Sequence, residues 1–301
     1  MNVEIVPAIV GVAVLLLSAC ATESSAVTAS TEITVSDATP GSDGQGLPDE
    51  ASKVAFTSMV IDAGDGPELC LGGVEESLPP QCSGFVVDGL TMSPDWAETV
   101  SGVTFGERTV TVSWPAVDNR VTLLDDREFG PNRNGGGSDE FPRPDECADI
   151  VSGDAVDVEE LSAWADGNPD KAGLAYFSTA EGSVDFQADT VEQAEIEGIG
   201  VLQVVEGYAQ DASDELGASG RTPCIDEVAF STEELQEAQQ QITAAHHDDD
   251  GLHIAGSSSG TTKNRVEVIV AVADGSTVAK VEGLVENPAI ITVVGLAEIL
   301  E

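Results

Sequence analysis

Positive charge is scarce in this sequence. Its 301 residues include 11 Lys and Arg against 55 Asp and Glu, a formal net charge of -44. A chain without a basic patch has nothing to neutralise a phosphate backbone, which argues against nucleic acid as a partner. Aromatic residues make up only 4% of the chain, so any core rests on Val, Ile, Leu and Ala. Histidine is limited to three positions, His246, His247 and His253. The apolar run at residues 5–17 falls short of the roughly 20 residues that span a bilayer as a helix. No two cysteines stand in CxxC spacing, which removes the usual zinc-ribbon and thioredoxin-like readings. Walker A, GxGxxG and HExxH patterns are absent, so no cofactor is implied.

What the short apolar run does offer is an address. It ends in Leu17-Ser18-Ala19-Cys20, small residues ahead of a cysteine in the form of a bacterial lipoprotein cleavage box. The preceding MNVE lacks the Lys or Arg usual at the start of a signal peptide. On this reading residues 1–19 are a signal peptide, and Cys20 becomes a lipidated N-terminus. The protein is then held on the extracytoplasmic face of the cell membrane without crossing it. Cys20→Ser is expected to leave the protein unprocessed or to release it from membrane fractions, as fractionation would read. The acid excess runs along the whole chain and reads as a solvated, halophilic-type surface.

Four further cysteines, Cys70, Cys82, Cys147 and Cys224, suit disulfides in an exported protein, with three possible connectivities. The expected pairs are Cys70–Cys82, which is local, and Cys147–Cys224, which ties the start of the second half to its third strand. Residues 20–52 are rich in Ser, Thr, Gly, Asp and Pro and read as a flexible tether. Residues 53–126 read as a small β domain: 54–61 is β-branched, and 108–114 alternates before returning through Asp118-Asn119 as 120–124. Residues 127–150, dense in Gly and Pro, read as a linker.

From residue 151 the pattern becomes α-β-β-α-β twice, over 151–230 and 231–301. Asp157 with Glu160, and more clearly Ser231 with Glu234, form capping-box patterns. Ser276 is expected to cap the last helix. The fold class is therefore α+β: a small N-terminal β domain followed by two αββαβ-type modules, each with helices on one face of a three-stranded antiparallel sheet.

The segment ELCLGGVEESLPPQC, residues 68–82, resembles a motif of uncharacterised secreted proteins and lipoproteins of actinobacteria. FPRPDEC, NPDKAGLAYF, the segment ending in Cys224 and TKNRVEVIV look like later landmarks of the same group. The resemblance covers residue 54 onward. It implies an opening β domain followed by α+β stretches, and no activity.

Few constellations carry chemistry. His246, His247, Asp248 and His253 are candidate metal ligands, but their spacing matches no known site, and a solvated loop is the simpler expectation. The run SSSG at 257–260 reads as an unpaired turn. Trp96, Trp114 and Trp164 could form a sugar platform, although Trp114 and Trp164 are expected in cores. The favoured reading is a non-catalytic lipoprotein that binds an envelope or protein ligand. The second is a secreted hydrolase with an unrecognised site in the α/β half. A deep pocket with one histidine and converging carboxylates would favour the hydrolase.

Overall fold

The structure is a computed structural model that describes residues 52–75, 77–129, 141–179, 198–248, 251–260 and 262–300, with the backbone alone at 247 and 248. Cys20, the signal segment, residues 20–51 of the tether, and residues 130–140 of the expected linker lie outside the described residues. The chain is α+β. The described residues fall in one compact unit.

The N-terminal half is a barrel. Its strands are β1 (Lys53–Asp62), β2 (Glu68–Cys70), β3 (Gly84–Asp88), β4 (Glu98–Val100), β5 (Val103–Ser113) and β6 (Arg120–Arg127). β1 pairs antiparallel with β5 along its whole length, from Lys53 opposite Ser113 to Asp62 opposite Thr104. β1 also pairs with β2, β2 with β3, β3 in parallel with β6, and β6 with β5. The ring β1-β2-β3-β6-β5 thus closes on itself, a five-stranded Greek-key barrel of the OB type. Closure removes the open sheet edges that would otherwise invite pairing with other chains. Alternation places Val54, Phe56 and Val60 of β1 inside with Leu69, Phe85, Val87, Val110, Val112 and Val121. At one end the outward residues of β1 are covered too. Ile61 packs with Phe105 and Cys70 beneath the Cys70–Cys82 loop.

The other half contains two three-stranded sheets. Helix α1 (Val158–Gly167) leads into β7 (Ala172–Thr179), β8 (Gly198–Val205), α2 (Ala209–Leu216) and β9 (Cys224–Val228). Helix α3 (Thr232–Asp248) leads into β10 (Ile254–Ser258), β11 (Val266–Val270), α4 (Gly275–Glu282) and β12 (Ile291–Gly295). In each sheet the first pair is antiparallel and the second is parallel. This corrects the all-antiparallel expectation. The helix between the second and third strands carries the chain back along the sheet, and a crossover of that kind makes the added strand parallel.

Helix starts follow the sequence in part. Ser231 and Glu234 form the reciprocal box: Ser231 N donates to Glu234 Oε2 (2.9 Å), and Glu234 N donates to Ser231 Oγ (3.2 Å). Asp157 makes no capping bond. Its carboxylate pairs instead with Arg221, and a guanidinium competes well with a backbone amide for an anion. The last helix is capped by Asp274, whose carboxylate accepts from Thr277 N at 2.8 Å, and not by Ser276.

The barrel shares its core with residues of the C-terminal half. Ala271, Val272 and Ala297, which flank β11 and β12, close the barrel interior. β13 (Glu298–Ile299) then pairs with Val54 and Ala55 of β1. The described part of the expected linker is also structured: Arg127 ends β6, and residues 141–150 fold against the β7-β8-β9 sheet. Arg143 donates to the carbonyls of Cys147 (3.0 and 2.8 Å) and Ile150, folding the segment over one face of the β7-β8-β9 sheet.

The charge bears on stability directly. Arg108–Asp126, Arg120–Asp88 and Arg221–Asp157 form ion pairs. Even if every basic side chain found a partner, the excess of -44 would stay unpaired. Self-repulsion of this size is reduced by screening. The melting temperature is expected to rise as NaCl goes from low to molar concentration. A flat or falling trend in calorimetry would show that the carboxylates are too dispersed to matter.

Candidate functional site

A groove of about 550 Å³ runs between the Cys70–Cys82 loop and the end of α3. One wall is the loop itself, presenting Leu71, Glu75, Gln81 and Ser83. The other is Ala245 and His246 of α3 with Leu252 and His253 ahead of β10. Phe85, Ile254 and Ala255 also line it, and Asn119 enters from the β5–β6 turn.

The loop is held from both sides. The Cys70–Cys82 bond closes it. Leu71 N donates to Ser83 O (3.0 Å) and Glu75 N to Gln81 O (2.9 Å). At its base the Glu68 carboxylate accepts from Gly84 N at 2.6 Å. Gly72 has φ +89°, and a Cβ there would stand 3.2 Å from Ala255 O. Glycine therefore lets the loop both turn and lie against β10.

His253 anchors the opposite wall. Its ring meets Phe85 edge-on at 4.9 Å and Trp114 at 5.7 Å between centroids, continuing an aromatic group that includes Phe56. Edge-to-face pairs of this kind stabilise by about 1 kcal/mol each beyond area burial. The His253 carbonyl accepts from Ala271 N (3.0 Å), joining this wall to the residues that close the barrel.

The four candidate metal ligands are not arranged as a loop. α3 runs through Asp248, so His246, His247 and Asp248 occupy its last turn. The side chains of His247 and Asp248 lie outside the described residues. His246 and His253 both face the groove, and among the described residues no three ligating side chains converge on a point a metal ion could fill.

The serine run also departs from expectation. Ser257 and Ser258 are not in a turn but in β10, opposite Val268 and Glu267. With Gly256 and Gly260 they spell GSSSG, which has the letters of GxSxG. A nucleophile elbow needs a sharp strand-to-helix turn. Here Ser258 ends one strand of an antiparallel pair, and Ser259 Oγ bonds the Gln239 side chain of α3. The tryptophans do not form one platform. Trp96 lies under Arg108 (5.2 Å), Trp114 joins the barrel aromatics, and Trp164 is buried in α1 with its Nε1 donating to Glu215 (2.9 Å).

A second polar cluster, unmarked in the sequence, lies in the β7-β8-β9 sheet. Gln203 is fully buried. Its Oε1 accepts from Leu174 N (3.2 Å), and its Nε2 donates to Thr262 O (2.8 Å). Beside it, burial pushes the Asp226 carboxyl above its ordinary range; Gln203 offsets this by hydrogen bonding, and Glu146 adds to it. Burial, with Asp226 adding to it, pushes the Tyr176 hydroxyl up to about 12, and that hydroxyl donates to Pro142 O (3.0 Å). A carboxyl raised in the folded state contributes stability that is present below its unfolded value, about 3.9, and lost as pH rises through its folded value. Asp226→Asn is therefore expected to raise the melting temperature at pH 7, with the gain vanishing in acid. A variant less stable than the parent at pH 7 would show that the charge is held favourably.

No protein-family model and no curated protein matches this chain.

Proposed function

We propose that this is an exported protein, anchored to the outer face of the cell membrane by lipid on Cys20, whose groove beneath the Cys70–Cys82 loop binds an envelope ligand without transforming it. The observation that carries this reading is the groove itself. One wall is locked by a disulfide and the other by an aromatic stack, and sites held on fixed walls lose little entropy when a ligand binds. Two disulfides also suit an oxidising, extracellular compartment. Among the described residues, the groove is open and lined by two histidines and one carboxylate, Glu75. The hydrolase reading asks instead for carboxylates converging on one histidine in a deep pocket.

Small Greek-key barrels of this type bind oligonucleotides and oligosaccharides at their strand faces and loops. The charge of -44 disfavours the former, so soluble glycan fragments of the cell envelope are the first ligands to test. The expected result is saturable shifts of the His246 and His253 imidazole signals in NMR titrations, abolished by Ser83→Trp, which fills the groove. Shifts that map elsewhere would remove the site. Turnover of the fragments by the parent protein would favour the hydrolase.

We also infer that residues 151–230 and 231–301 are two copies of one αββαβ unit. The same order of elements and the same strand senses in both sheets support this.

A further inference from the structure

β12 is the outer strand of the β10-β11-β12 sheet, paired only with β11 among the described residues. The bond from Leu296 N to Val270 O (2.9 Å) sets its phase. Alternate residues of a parallel strand bond to the same neighbour. Thr292 and Val294 therefore turn their amides to β11, and Val293 and Gly295 turn theirs outward, while Ile291 N donates to Pro288 O.

The other edges of the described sheets carry the devices that keep edges from pairing. β9 bears Asp226 and Glu227, and its start is bridged by Ala155 at Thr222. In β10 the Ser257 carbonyl accepts from the Gln239 side chain (3.0 Å). β7 is bulged, and its Gly173 carbonyl accepts from Thr232 Oγ1 (3.0 Å). β4 and β13 are three and two residues long, each with a glutamate. β12 reads ITVVG. It has no charge and no proline in a chain where acids are everywhere, and four of its five residues are β-branched.

We propose that the edge of β12 receives an extended, positively charged segment of a partner protein, which adds as a fourth strand to this sheet. Charge selects the occupant. Glu286 and Glu298, both exposed, stand before and after the strand, and the chain as a whole carries -44. A second copy would bring the same charge to the same edge. A β-branched strand flanked by lysines brings the opposite charge to both ends, while the half-exposed Thr292 and Val294 meet its alternate side chains.

The test uses the full-length chain and the peptide acetyl-Lys-Thr-Val-Thr-Val-Thr-Lys-amide. The expected result is saturable binding, weakened by NaCl, with amide exchange slowed at Val293 and Gly295. A peptide of the same charge, N-methylated at alternate residues, cannot complete the ladder and is expected to bind about tenfold more weakly. Val293→Pro removes an outward donor and leaves the bonds to β11 in place, and is expected to weaken binding by a similar factor. Val293 also packs against the helices, so the N-methylated peptide serves as the control that leaves the protein unchanged. Ser83→Trp, which blocks the groove, is expected to leave peptide binding intact, so this inference and the groove reading can fail separately. Equal binding of the two peptides would reduce the contact to general electrostatic adhesion and overturn the proposal. Protection confined to another strand would overturn it, as would protection of β12 that rises with protein concentration and needs no peptide.

Discussion

Replacing Cys147 and Cys224 together by alanine is expected to lower the unfolding free energy by about 4 kcal/mol. The bond closes a loop of 77 residues, against 12 for Cys70–Cys82, and closing the longer loop removes more freedom from the unfolded chain. Both cysteines are buried in the small cluster of Ala155, Tyr176, Ile199 and Val201. Losing the bond therefore also frees the segment that covers that face of the sheet. The same change at Cys70 and Cys82 is expected to cost about 3 kcal/mol and to loosen the groove wall. Urea unfolding followed through Trp164 fluorescence measures the first effect. A double variant as stable as the parent would show that Arg143, bonded to the carbonyls of Cys147 and Ile150, holds the segment unaided.

Ala271→Glu is expected to cost about 3–5 kcal/mol, the range for a buried charge left without a partner. Ala271 is fully buried between the barrel interior and the residues that follow β11, and its amide bonds the His253 carbonyl. A carboxylate there meets Val272, Ala297 and the barrel aliphatics. Because the residue belongs to the barrel core although it lies far along the chain, the loss should appear at Phe56 and Val110 as well as at β11. Amide exchange resolved by residue distinguishes the two cases. Protection lost only around residues 266–272, with the barrel unchanged, would mean that the two halves fold independently.

Legibility in the sequence followed locality. The alternation of β5, the apolar face of α3 and the Ser231–Glu234 box depend on neighbours within a few residues, and these are visible in the chain. The parallel closure of β3 on β6, the barrel plug from Ala271 and Ala297, and the pairing of β13 with β1 depend on residues far apart, each unremarkable alone. Asp157 shows the same limit on a small scale. Its spacing to Glu160 suits a cap, but Arg221, distant in sequence, takes the carboxylate. The groove was half legible. The Cys70–Cys82 motif and the histidines were both conspicuous, but nothing local says that they face each other. The buried Gln203 left no signal, because a single glutamine in an apolar strand looks like an interruption until Thr262 and Leu174 arrive beside it.

The pairing of β13 with β1 also fixes an order in time. A chain made N-terminus first presents β1 well before Ala271, Val272, Ala297 and β13, with which it packs or pairs. Until then the barrel lacks its plug, and the start of β1 lacks a neighbour on one edge. Its final state cannot form before then, since contacts between distant residues must wait for both to be present. The start of β1 gains its second neighbour only once β13, far along the chain, is present.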